Sequence, residues 1–143
     1  HPGGTLGKRL LLDVSDMMHS EEDNPTCGPD MPMMDVLPEL TRTALGGITV
    51  VDDNQAVLGI ITDGDIRRGL EKMGHNFPDA VAVQVMSKDP STIYSDEKAI
   101  DALLLMENRP SQITVLPVID RENRCVGMLR LHDLIRAGLR PGR

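Results

Sequence analysis

The sequence predicts an α/β (α+β) fold built from two copies of one unit, giving two small sheets with flanking helices related by a pseudo-two-fold axis. Three observations predict it. Short, branched, apolar runs such as residues 57–61 and 115–119 have the length and residue types of buried strands. Stretches with apolar residues at helical spacing accompany them, as at Met33, Val36, Leu37 and Leu40. The pattern also recurs at a fixed interval. Gly127 follows Gly59 by 68 positions, and Asp133 follows Asp65, Asp120 follows Asp52 and Met86 follows Met18 by the same 68. Such a period means two supersecondary units, each too small to bury its own apolar face well. They are expected to pack face to face, opening their matching strand-to-helix turns onto one shared cleft.

Residues 1–12 read as a linker, glycine-rich and lacking an initiator Met, with Leu10, Leu11 and Leu12 as an apolar anchor. The first unit spans 13–74. It starts with a single helical turn at 14–18, with Ser15 as its N-cap, repeated later at 83–86. Residues 21–25 form a charged loop. Asp30 is expected to cap the next helix, with Pro32 in its first turn, Pro38 loosening it and Gly46 or Gly47 ending it. Strands at 48–51 and 56–62 flank the turn Asp52-Asp53-Asn54-Gln55, and a helix over 65–73 closes the unit. The second unit, 75–143, repeats this order. Asp96 caps a helix over 97–108, Pro110 stops it, strands follow at 115–119 and 125–130, and a helix over 131–137 ends at Gly138 before a short basic tail.

The chemistry concentrates at Gly59-Ile60-Ile61-Thr62-Asp63-Gly64-Asp65, where a strand ends and a helix begins. Such a junction offers free backbone N–H groups and the positive end of a helix, which suit a phosphate. Thr62 adds a hydroxyl, and Asp65 a carboxylate able to accept from two ribose hydroxyls. The plain alternative is that Thr62 or Asp63 simply caps the helix. In the second copy Arg130 stands where Thr62 does and Asp133 where Asp65 does. A guanidinium cannot mimic a short hydroxyl but pairs bidentately with phosphate or carboxylate, so the second site is either blocked or retuned towards a more acidic ligand. His132 beside it is a further candidate donor.

Composition narrows the function classes. Across 143 residues there is no Trp, one Tyr and one Phe, which argues against stacking platforms for single-stranded nucleic acid. The formal net charge of -7 disfavours a phosphate-backbone footprint. No run resembles a membrane span or signal peptide, and Cys27 and Cys125 read as reduced thiols of a cytoplasmic protein. No His, Cys or carboxylate set has a metal spacing, so no metal site is expected.

The repeat order, the strand ends Val50-Val51-Asp52 and Val118-Ile119-Asp120, and the Gly-x-x-Thr-x-x-Asp turn at 59–65 resemble a tandem CBS-domain pair, covering about residues 13–139. Residues 62–68 and 131–139 are similar to the C-terminal CBS pair of bacterial arabinose 5-phosphate isomerases, and residues 1–7 resemble the end of their isomerase (SIS) domain. The resemblance implies a parent that interconverts ribulose 5-phosphate and arabinose 5-phosphate for Kdo, lipopolysaccharide or capsule synthesis, through an SIS domain upstream. His1 then matches a histidine linked to isomerisation, orphaned here, and no isomerase activity is expected of this chain. The resemblance further implies ligand binding at Thr62, Asp63, Gly64, Asp65, Arg130, His132 and Asp133. The expected ligand is a nucleotide or nucleotide sugar, AMP, ATP or CMP-Kdo, with no required cofactor. It also implies a homodimer through the repeat helices, with a tetramer as an option for the parent. The competing reading is a ligand-free assembly module that orients the isomerase domains.

Overall fold

The computed structural model describes residues 6–140. His1 and the rest of residues 1–5 lie outside the described residues. In chain order the elements are α1 (Leu6–Leu10), α2 (Val14–Met17), β1 (His19–Ser20), β2 (Thr26–Cys27), α3 (Met33–Thr43), β3 (Gly47–Val51), β4 (Val57–Thr62) and α4 (Asp63–Met73). The second series is α5 (Ala82–Val85), β5 (Ser87–Lys88), β6 (Ile93–Tyr94), α6 (Ala99–Glu107), β7 (Val115–Ile119), β8 (Cys125–Arg130) and α7 (Leu131–Arg136). They form two four-stranded sheets, in the orders β2-β3-β4-β5 and β1-β8-β7-β6.

The edges of the sheets reveal an exchange. β1 belongs to the first unit, yet pairs antiparallel with β8 of the second, and β5 belongs to the second, yet pairs antiparallel with β4 of the first. The cores follow suit. Val14 is fully buried among Leu103, Leu116, Leu129 and Leu134, whereas Ala82 and Val85 pack with Met33, Val36, Ile48 and Ile61. Burying such a side chain is worth roughly 1.5–3 kcal/mol, so each leading turn anchors itself in the opposite unit. A shared apolar layer of Leu45, Ile60, Val115 and Met128 joins the two sheets.

Glycine positions show how close the approach is. A Cβ built on Gly59 would lie 2.7 Å from the Ser87 carbonyl, and one on Gly127 would lie 2.8 Å from the His19 carbonyl. These are the repeat-equivalent glycines, and each lets the exchanged edge segment cross the strand. Between the units, a Cβ on Gly47 would lie 2.9 Å from Val115 Cγ2. A valine methyl has little rotameric freedom to retreat. Gly47→Ala is therefore expected to lower stability by about 1–3 kcal/mol through overpacking, read by chemical denaturation. An unchanged denaturation midpoint would refute the contact.

Several helix starts differ from the sequence expectation. Asp13, not Ser15, caps α2, because Asp16 reaches back to accept from the Asp13 amide at 2.8 Å. Pro32 precedes α3 in place of Asp30, and Lys98 precedes α6 in place of Asp96. Asp96 is instead taken by Arg121, at 3.0 and 2.9 Å, whose guanidinium also covers the Tyr94 ring. α3 runs through Pro38 and ends on Ala44 in the left-handed conformation (φ 56°), not on the glycines that follow. The expected link at 74–78 is a 3-10 turn, Gly74–Asp79, with Phe77 buried in the first core.

Candidate ligand cleft between the repeats

α4 begins at Asp63, directly after β4, because Thr62 is extended (φ -120°, ψ 177°) and Asp65 closes a reciprocal cap. Asp65 Oδ2 accepts from the Thr62 amide at 2.9 Å and from Thr62 Oγ1 at 3.0 Å. Oδ1 accepts from Arg68 Nη2 at 3.0 Å and from Ser87 Oγ. Ser87 lies on β5, so the exchanged strand closes the set. Four donors fill the lone-pair capacity of a carboxylate. Burial pushes the Asp65 carboxyl up, but the bonds from Ser87, the Thr62 amide, Arg68 and the Thr62 hydroxyl outweigh it and hold the group below its ordinary value. In this state Asp65 is a structural keystone, and a ribose hydroxyl would have to displace one of its partners.

Thr62 and Asp65 form one wall of a cavity of about 420 Å³. Arg68, Ser87, Asp89 and Ser91 extend that side, and the loop from Arg109 to Thr114 supplies the other. Ile60, Ile113, Val115 and Pro117 make its apolar surface. Arg109 Nη1 donates to Ser91 Oγ at 3.2 Å. Hydroxyls and two guanidiniums thus ring an apolar strip, the arrangement expected of a small polar ligand with one flat apolar part. Asp63 and Gly64 begin α4 but are not among its lining residues, and Gly64 instead faces the Arg68 guanidinium.

The second turn is built differently. Arg130 folds onto Asp133, with Nε 3.3 Å from Oδ2 and Nη2 2.8 Å from Oδ1. His19 Nε2 lies 2.7 Å from Asp133 Oδ2, so that nitrogen carries the proton when the carboxylate is ionised. Burial raises the Asp133 carboxyl, but Arg130 and His19 draw it below its usual value. His19 is the repeat mate of Ser87, as Arg130 is of Thr62: one exchange of chemistry has altered both partners of the second Asp. The matching turns do not open onto a single cavity. Arg130 and His132 line a separate one of about 260 Å³ with Leu45, Leu131 and Ile135, sharing only Thr114 with the first.

Cys27 and Cys125 are buried, free thiols, and burial pushes Cys27 up to about 11. Among the described residues no group of three His, Cys, Asp or Glu side chains could hold a metal ion, and no helix is long and apolar enough to cross a membrane. Arg68, Ser87 and the 109–114 loop escaped the sequence reading. The 68-residue offset pairs Ser87 with His19 and was the signal available for it. Arg109 to Thr114 reached the cleft only through folding.

Comparison with known proteins places this geometry. The chain is 42% identical over 139 residues to the arabinose 5-phosphate isomerase KdsD of Yersinia pestis and 41% identical to that of Pseudomonas aeruginosa. These matches cover 97% of this chain but 41% and 42% of those proteins, so the chain spans about two fifths of the relatives it matches. Among solved structures, CBSX2 in complex with AMP superposes with a TM-score of 0.74 at 24% identity, covering 88% of this chain and 95% of that one. A CBS domain-containing protein from Bacillus anthracis gives 0.77 at 17%, covering 92% and 96%. The CBS domain pair of protein MJ0100, in complex with 5′-methylthioadenosine and S-adenosyl-L-methionine, gives 0.73 at 23%, covering 87% and 93%. The CBS domain profile matches twice, at residues 14–72 and 81–140, and the chain belongs to the CBS domain family as a tandem pair.

Proposed function

We propose that this chain is the regulatory, nucleotide-sensing CBS pair of an arabinose 5-phosphate isomerase, acting on a catalytic SIS domain that precedes it. The observation that carries this reading is the cavity between Thr62 and Thr114, whose apolar strip, hydroxyls and guanidiniums match a base, a ribose and a phosphate. The relatives named arabinose 5-phosphate isomerase and the fold neighbours solved with AMP or S-adenosyl-L-methionine support it. An end-product nucleotide sugar such as CMP-Kdo fits the same chemistry, since it adds a carboxylate for a guanidinium. Regulation then requires the effector to bind two states of the module unequally.

Titration calorimetry of the chain with CMP-Kdo, AMP and ATP is the test, and saturable heat from at least one is expected. Silence from all three would favour the second reading, an assembly module with an unused cleft. One observation favours that alternative: Asp65 already has its full set of protein donors and needs no ligand to be satisfied. No pentose-phosphate isomerisation is expected from this chain alone, and turnover in that assay would overturn the assignment of catalysis to the upstream domain.

A further inference from the structure

We propose that Arg68 and Arg109, one from each repeat, form an anion gate, so that a ligand phosphate must draw Arg68 off Asp65 before the carboxylate can take the ligand's hydroxyls. This inference rests on the nucleotide reading and adds an order of events and a selection rule. The starting point is the closed count at Asp65, which is only 4% exposed and accepts four hydrogen bonds. Three of them come from a backbone amide or from short hydroxyl side chains, which cannot swing far from Asp65. The two Thr62 bonds belong to the cap of α4, and the backbone of Ser87 is held beside Asp65 by the pairing of β5 with β4. Arg68 is the exception. Its side chain is 64% exposed, its bond to Asp65 is an i,i+3 ion pair, and it lines the cavity. The guanidinium end of the pair is open to solvent although Asp65 itself is buried, so a competing anion can reach Arg68 and take it from the carboxylate.

Arg109 supplies the second half of the gate. It sits past the end of α6, donates to Ser91 Oγ at 3.2 Å, lines the cavity and pairs with no carboxylate among the described residues. A phosphate monoester carries between one and two negative charges near neutral pH and offers three acceptor oxygens. Two guanidinium forks lining one cavity suit it better than one. Once Arg68 turns to the phosphate, Asp65 Oδ1 has a free lone pair facing the cavity, and a hydroxyl of the same ligand can fill it. Ligands that lack the phosphate meet a carboxylate still occupied by Arg68. The cavity therefore selects molecules that carry a phosphate monoester and a hydroxyl together and rejects the uncharged nucleoside.

Calorimetry with CMP against cytidine and AMP against adenosine, on the unaltered chain and on Arg68→Gln and Arg109→Gln, tests this. For whichever base binds, the monophosphate is expected to bind at least about 100-fold more tightly than its nucleoside. Arg109→Gln should weaken the monophosphate by about 10-fold or more and leave the nucleoside alone. Arg68→Gln should weaken the monophosphate and strengthen the nucleoside, because Asp65 is released in advance. Arg109→Gln is expected to melt within about 2 °C of the parent and Arg68→Gln a few degrees lower, because Arg68 bonds the buried Asp65, and a cooperative transition well above the titration temperature in both confirms that the fold is intact. Equal affinities for nucleoside and monophosphate, or an Arg68→Gln change that lowers both together, would overturn the gate while leaving the nucleotide reading standing. No heat from any nucleotide, CMP-Kdo included, removes both.

Discussion

Gly59→Val is expected to lower the melting temperature by about 6–12 °C, and Gly127→Val to do the same. The first γ-carbons are not the problem; the Cβ itself is. At Gly59 it would stand 2.7 Å from the Ser87 carbonyl oxygen, and at Gly127 2.8 Å from that of His19. Met86 and Met18 also crowd these positions but are flexible and can yield. The carbonyls cannot, because Ser87 pairs with Ile60 and His19 with Met128 in the sheet ladders. Relief requires the edge strand to peel away, which also withdraws Val85 or Val14 from the opposite core. Overpacking of this kind costs about 3 kcal/mol at the upper end of its usual range. Each kcal/mol shifts melting by roughly 2–4 °C in a chain of this size. Thermal denaturation followed by circular dichroism reads the effect. A shift below about 2 °C would mean that the exchanged edges are not packed as described.

Asp65→Ala should cost about 2–4 kcal/mol, so a lost ligand response in that variant would not by itself identify a binding residue. The estimate combines a lost helix cap, about 1 kcal/mol, with hydrogen bonds to a charged group worth about 1.5–3 kcal/mol each where donors are left unpaired. Asp133→Ala should cost less, since its partners Arg130 and His19 are partly exposed and can turn to water. Both carboxyls titrate below their ordinary range in the folded chain. Their stabilisation is therefore complete above the unfolded value, about 4, and is lost as pH falls through the folded one. Melting temperature should stay nearly flat with respect to these two groups from pH 7 to 5 and drop below about pH 4. Asp65→Asn should flatten that acid limb while lowering stability at pH 7. An acid limb equally steep in Asp65→Asn would show that the Asp65 network is not its source.

The interval of 68 residues carries the duplication, the strand-turn-strand order of each unit and the two Asp-bearing turns in the sequence itself. Helix ends fared worse. Ser15, Asp30 and Asp96 all have the residue type of a cap, yet Asp13, Pro32 and Lys98 hold those positions. Local chemistry allowed several caps, and packing chose among them: the Val14 amide bonds the Glu97 carbonyl and the Ala99 amide bonds the Leu12 carbonyl, fixing both helix starts at once. Single-turn leaders at 14–18 and 83–86 were visible as local motifs, but their crossing to the opposite sheet was not. A two-residue strand has no sequence signature strong enough to name its partner.

Periodicity and residue type by themselves determined that two like units carry a Thr- or Arg-bearing turn followed by Asp, since a repeated pattern is a property of the chain alone. The tertiary structure decided that these turns face separate cavities, that Asp65 is saturated by Ser87 and Arg68, and that Arg109 arrives from the other unit. Those outcomes depend on which distant segments pack together, and the burial of Val14 and Val85 in each other's units, rather than any local preference, drives that choice.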